Sequence, residues 1–326
     1  MINEQGRPHR QRGLVLGVGG VLGAAWMTGA LAALQARLPV PVGEVDVMVG
    51  TSAGSVLAAA LRCGFSMEEM VAHQRGGPAG VLSALGSPDL GCGALPPWPR
   101  LRMGSPRLLL AGLRAPHRVH PWVTASACLP QGRAGHSVLR AMVAGLAAHT
   151  GRRRWRGSTW IVAVDYDSGR RVVFGHRGAA VASLPDAVAA SCSVPGWFRP
   201  TVIAGRRYVD GGIRSAASAD LLAHADMDEV YVLAPAASVV SARPRTPLEA
   251  VERLVRRRMT AGLRREVATL RSSGTRVTVL TPGPEDLAAM GANLMDPARR
   301  LEVFETSLRT SAKSLAEEMS RQQHAA

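Results

Sequence analysis

Aromatic residues, lysine, acidic side chains and cysteine are all scarce in this chain. Phe, Trp and Tyr together make up 4% of 326 residues, so a core has to be packed from Ala, Val and Leu. Lys313 is the single lysine; the other 38 of the 39 basic residues are arginines. Acids number 24, which leaves a net charge of +15. The four cysteines (Cys63, Cys92, Cys128, Cys192) form no C-x-x-C pair and no metal-ligand spacing. That excludes a disulfide-stapled scaffold and points to reduced thiols in a cytosolic setting. A hydrophobic fraction of 47% excludes a disordered chain. The length fits one large domain or two ordinary ones.

The arginine excess has two readings. One is a bland preference for arginine throughout the sequence. The other is attraction to an anionic partner, a phospholipid surface or nucleic acid. The excess is uneven: residues 75–133 carry seven arginines and one acid, and residues 243–276 carry ten arginines and three acids. No nucleic-acid motif accompanies either stretch.

Only one run approaches membrane-spanning length without charge, residues 13–36, and it follows a basic stretch (Arg7, His9, Arg10, Arg12). A signal peptide or spanning helix would look like this. Against that, six glycines fall inside the run, four of them between 17 and 23, a density that suits a turn between two elements.

Read this way, 14–17 is a short buried strand, a glycine turn follows, and a helix runs over about 20–36. A second strand at 45–50 ends at a tight turn, with a helix of small residues over 53–63. This alternation is the signature of a parallel sheet wrapped by helices. Residues 75–135 break the rhythm, rich in Gly and Pro, with no clear periodicity. Helices are expected near 136–149, at 184–191 behind an N-cap Ser183, at 247–271 and at 298–322. Strands are expected at 158–165, 171–175, 229–234 and 275–280.

Three motifs carry chemistry. Gly50-Thr51-Ser52-Ala53-Gly54 is a G-x-S-x-G between a strand and a helix, the setting of a nucleophile elbow. Gly17-Val18-Gly19-Gly20-Val21-Leu22-Gly23 follows the first strand. It reads either as a phosphate-cradling loop, whose fingerprint fails at Leu22, or as an oxyanion loop whose amides stabilise charge on an attacked carbonyl. Parallel pairing of the first two strands would set this loop beside Ser52. Asp210, followed by Gly211 and Gly212, is a carboxylate at a turn, as either a general base or an ordinary turn residue. Of nine histidines, His224 is the first to follow Asp210 in the order of a Ser-Asp-His triad. A single strand before Ser52 argues against the usual triad fold.

Together these residues resemble the patatin-like phospholipase family. The resemblance runs from about Leu14 to Ala234. It includes the run Asp46 to Gly54 and the segment Ala189-Ala190-Ser191-Cys192-Ser193-Val194-Pro195-Gly196-Trp197-Phe198-Arg199-Pro200. It implies an α/β three-layer sandwich with a mostly parallel central sheet covered by helices on both faces. It also implies a serine acyl hydrolase acting on acyl lipids through a Ser52–Asp210 dyad. Amides of Gly19, Gly20 and Val21 would form the oxyanion hole, supported by Gly17, Gly23, Gly50, Gly54, Gly211 and Gly212. No metal or cofactor is implied. Two departures stand out: Leu22 where many members carry Arg or Lys, and Ile213-Arg214-Ser215 where Asn is frequent. The expected organisation is an acyl-hydrolase domain over 12–285 and a C-terminal helical extension over 286–326. Residues 75–135 would be a lid with a cationic rim, or else an ill-ordered insertion. The expected setting is cytoplasmic, peripheral to a membrane. The rival is a catalytically silent lipid- or nucleic-acid-binding protein of the same fold.

Overall fold

The computed structural model describes residues 10–77, 97–149, 155, 158–238 and 247–324. The strands are β1 (Arg12–Leu16), β2 (Val47–Thr51), β3 (Arg100–Met103), β4 (Pro130–Gln131), β5 (Thr159–Asp165), β6 (Arg171–Phe174), β7 (Thr201–Ile203), β8 (Arg206–Asp210), β9 (Glu229–Leu233) and β10 (Arg276–Leu280). The helices are α1 (Gly20–Gln35), α2 (Ala53–Arg62), α3 (Met67–Gln74), α4 (Pro106–Arg114), α5 (Pro121–Ser126), α6 (Ser137–His149), α7 (Leu184–Ser191), α8 (Pro247–Ser272), α9 (Pro284–Met290) and α10 (Arg300–His324).

The main sheet runs β10-β9-β1-β2-β5-β8-β7, with β6 also on β5. From β10 to β5 every pairing is parallel; β6 and β8 run antiparallel to β5. Successive side chains on a strand point to opposite faces, and the strands here are apolar on both. Leu14, Leu16 and Met48 enter one core with α1, α2, α6, α7 and α10. Val15, Val49 and Val232 enter the other with α8. The result is the three-layer α/β sandwich expected from the sequence, with a mostly parallel sheet.

The uncharged run 13–36 is β1, the glycine turn and the buried helix α1. Helix α10 lies along α1: Ser307 donates to the Trp26 carbonyl at 2.7 Å, and a Cβ at Gly29 would stand 2.7 Å from the Leu308 amide nitrogen. Among the described residues no helix is long and apolar enough to cross a membrane.

A strand has two edges, yet β5 has three partners. Strand β2 takes residues 159–162 of one edge and β8 takes 163–165 of the same edge, while β6 occupies the other. Thr51 therefore pairs with Val162 and Asp210 with Ala163, the next residue along. The end of β2 and the end of β8 meet head on.

Several elements differ from the expectations. Part of the irregular stretch 75–135 is regular: Ser105 caps α4 with an acceptor for the Leu108 amide, α5 follows, and β3 pairs with β4. Residues 78–96 of that stretch lie outside the described residues, as do Arg7 and His9. Helix α3 starts behind a Ser66–Glu69 capping box. Asp210 ends a strand of a β7–β8 hairpin. In α8 the apolar residues do not all pack: Leu254 and Val255 are exposed, whereas Leu263, Val267 and Leu270 are buried. The N-terminal half of the helix overhangs a cleft, so only the second half meets the core.

Candidate active site

The turn after β2 is a nucleophile elbow in shape. Ser52 stands at φ 54° and ψ −123°, a region that a residue with a Cβ enters only under strain. It directly precedes α2, whose N-terminus carries positive partial charge. The flanking glycines are required by contact. A Cβ on Gly54 would sit 2.1 Å from the Leu16 carbonyl oxygen, and one on Gly50 would sit 2.7 Å from the Gly54 oxygen. The Ser52 amide donates to Ser191 Oγ at 2.8 Å, and that hydroxyl donates to the Val162 carbonyl at 2.6 Å.

Asp210 is 4% exposed. Its Oδ1 accepts the Gly212 amide at 2.7 Å, and the Ser52 hydroxyl is near enough to lower its proton affinity. Burial dominates its proton affinity and pushes the carboxyl up to about 6, against the opposing pull of Ser52 and the Gly212 amide.

The glycine loop lies beside this pair because β1 and β2 are parallel neighbours, Leu16 opposite Gly50. Its outer amides are spoken for: Gly17 donates to the Leu233 carbonyl, Val18 to Ala216, Leu22 to Leu294 and Gly23 to Gly19. Among the described residues no backbone acceptor takes the amides of Gly19, Gly20 or Val21. These are the first-turn donors that a helix leaves unsatisfied. Gly20 adopts φ +61°, the left-handed conformation in which a Cβ is strained.

Ser52, Asp210, Gly19, Gly20 and Val21 all line one cleft of about 1270 Å³. One wall is apolar, with Ala24, Val56, Leu57, Leu139 and Leu294; another is formed by α5 and α8 and carries arginines. His224 is not among the lining residues. His136 is, but it is buried against Phe198 with ring centroids 4.4 Å apart and shares a 3.0 Å hydrogen bond with Ser193. Burial, then Arg140, holds it down at about 4. Among the described residues no group of three or more His, Cys, Asp or Glu side chains could hold a metal ion.

Gly17, Gly23, Gly50, Gly54, Gly211 and Gly212 all sit in close contacts around these elements. The contribution of Ser191 was not legible beforehand: it lies inside a motif-like segment, but nothing in its spacing says that it reaches the Ser52 amide. The arginines of α8 were legible only as a local excess of basic residues over 243–276.

The family described as Patatin-like phospholipase matches residues 14–77 and 116–223, more than half of the sequence. The chain belongs to the patatin-like phospholipase family. The matched parts hold the glycine loop, Ser52, Ser191 and Asp210, and the gap between them coincides with much of the stretch that carries β3 and α4. Membership supports lipid hydrolase activity and lipid substrates. No curated protein matches the chain. Among solved structures, VipD from Legionella pneumophila is similar at 11% identity, over 98% of this chain and 70% of that one, with a TM-score of 0.45. The type III effector protein ExoU is similar at 16% identity, over 95% of this chain and 54% of that one, with a TM-score of 0.37. The chain thus spans about half the length of ExoU.

Proposed function

We propose that the protein is a serine acyl hydrolase that cleaves carboxylic esters of acyl lipids with a Ser52–Asp210 dyad. The observation that carries this is the meeting of a strained serine and a buried carboxylate of raised proton affinity at the ends of β2 and β8. Ser52 Oγ attacks the ester carbonyl while Asp210 takes the hydroxyl proton. The amides of Gly19, Gly20 and Val21 stabilise the oxyanion; one such donor is typically worth about 2.7–4 kcal/mol. Asp210 passes its proton to the leaving alcohol, which departs and leaves Ser52 acylated. Water then gives a proton to Asp210 and attacks the acyl-enzyme. The fatty acid leaves, and Ser52 recovers its proton.

The acyl-hydrolase unit spans 12–285 in this reading, and 286–326 is an extension whose helix α10 lies along α1. The cap carries a membrane-facing surface: Leu101, Leu110 and Leu113 are exposed beside the exposed Arg100, Arg102, Arg107 and Arg114. Apolar side chains rimmed by cations suit an anionic bilayer surface.

The deciding experiment is hydrolysis of p-nitrophenyl butyrate and of a panel of glycerolipids, with fluorophosphonate labelling read at Ser52. Turnover and labelling that vanish in Ser52→Ala support the enzyme. A folded wild type that neither turns over nor labels makes it a silent lipid-binding relative.

A further inference from the structure

We propose that the cationic side of the cleft, lined by Arg214, Arg258, Gly262 and Arg265, is a subsite for the phosphate of a lipid headgroup. This rests on the acyl-hydrolase function proposed above.

Arg258, Gly262 and Arg265 fall at i, i+4 and i+7 of α8 and so share one stripe of the helix, and all three line the cleft with Ser52. A glycine is unfavourable in the middle of a long helix. Here a Cβ at 262 would meet nothing within 4 Å, so packing does not require the glycine, and its absent side chain leaves open space on the stripe that carries Arg258 and Arg265. Arg214 enters the same cleft from four residues beyond Asp210.

Among the described residues these arginines have no counter-ion of their own. The carboxylates in the cleft are already engaged: Asp220 by Arg171 at 2.7 Å, Glu252 by Arg256 at 2.6 Å, and Glu266 by the Ser215 hydroxyl and the Ala219 amide. Among the described residues no carboxylate forms an ion pair with Arg214, Arg258 or Arg265. The Arg258 guanidinium lies 5.1 Å from the centroid of the Trp122 ring. That contact uses its face and leaves its edge donors free.

His120 adds an independent sign. Its Nδ1 is buried without a hydrogen-bond partner, and it lines the same wall. Its proton affinity is depressed, first by burial and then by the charges of Arg214 and Arg265. A phosphate, with several oxygens on one centre, can accept from three guanidinium groups and an imidazole together. A fatty carboxylate offers two oxygens, and its chain suits the apolar residues of the cleft. Ser52 lines the same cleft, so one glycerophospholipid can place its ester at Ser52 and its phosphate at the arginines.

The test uses dihexanoyl phosphatidic acid below its micellar concentration, so that no membrane surface contributes, with p-nitrophenyl butyrate as the uncharged reference. In Arg214→Gln/Arg265→Gln the ratio of kcat/KM for the phosphatidic acid over the butyrate falls at least tenfold. Gly262→Leu, whose Cβ meets nothing within 4 Å, lowers the same ratio with no loss in Tm. Equal changes on both substrates overturn the proposal. Binding of the same lipid to Ser52→Ala, by calorimetry, separates this from the dyad. If the wild type cleaves nothing, weaker binding after adding the arginine substitutions still supports the subsite, and unchanged binding overturns it. Protection by inorganic phosphate that needs the arginines, without any change in lipid binding or cleavage, assigns the site to free phosphate and overturns the headgroup role.

Discussion

Ser191 Oγ holds the backbone amide of Ser52 at 2.8 Å. The bond fixes a residue whose φ of 54° costs about 1–3 kcal/mol in strain, and it gives the buried Ser52 amide an acceptor. Ser191→Ala removes the acceptor and also orphans the Val162 carbonyl, which receives the Ser191 proton. The expected loss is about 1–3 kcal/mol of stability in urea unfolding. The released elbow should lower kcat at least tenfold with little change in KM. An unaltered kcat would show that Ser191 contributes to folding alone.

Asp210 gives a signed pH dependence. Its carboxyl is held at about 6 against an ordinary 3.8 because it is buried. As a base it must be ionised, so kcat/KM should rise with pH, with a midpoint near 6, and then level off. Stability runs the other way. The folded state holds the proton more tightly than the unfolded one, so this group favours folding below 3.8, and the benefit is lost as pH rises through 6. The difference amounts to about 3 kcal/mol. Asp210→Asn should therefore abolish turnover yet unfold at higher urea than wild type at pH 8. A variant less stable than wild type at pH 8 would contradict the burial argument.

The first half of the fold is legible because its signals are local. Glycine density at 17–23 marks a turn, and G-x-S-x-G between a β-rich run and small residues marks an elbow. The Ser66–Glu69 capping box was also there to be read, since Ser-x-x-Glu precedes α3. The β7–β8 hairpin was not: its strands are short, and Arg206 and Arg207 interrupt any apolar pattern. The approach of Ser52 to Asp210 depends on β2 and β8 sharing an edge of β5. That register is set by tertiary pairing and leaves no mark on the spacing of either motif. Resemblance to a family, and not periodicity, joined the two residues.

Acid should destabilise the protein through His136. Burial and Arg140 hold its ring at about 4, against an ordinary 6.5. The unfolded state binds the proton first, so stability is intact above 6.5 and falls as pH drops toward 4. At pH 5 the cost is about 2 kcal/mol. His136→Phe keeps the stack on Phe198, and Ser193 retains its bonds to Ala189 and Thr201. Urea unfolding at pH 7.5 and 5.0 should show a smaller acid loss in the variant by about that amount; an identical loss would remove His136 from the account.

The cap should decide binding to membranes without deciding chemistry. Leu101 and Leu113 are the most exposed leucines of β3 and α4, and neither packs on a described core. Replacing both with Ser removes apolar area that a bilayer would bury, worth roughly 1 kcal/mol or more for each side chain. Partitioning onto vesicles containing phosphatidylglycerol should drop at least tenfold in a sedimentation assay, while turnover of p-nitrophenyl butyrate stays within twofold. The arginines beside them add a salt-dependent attraction, so wild-type binding should also weaken as NaCl is raised, since screening shortens the reach of surface charge to about 8 Å at physiological ionic strength. If Leu101→Ser/Leu113→Ser binds vesicles as wild type does, another surface meets the lipid. The exposed apolar residues of the cap would then need a different partner.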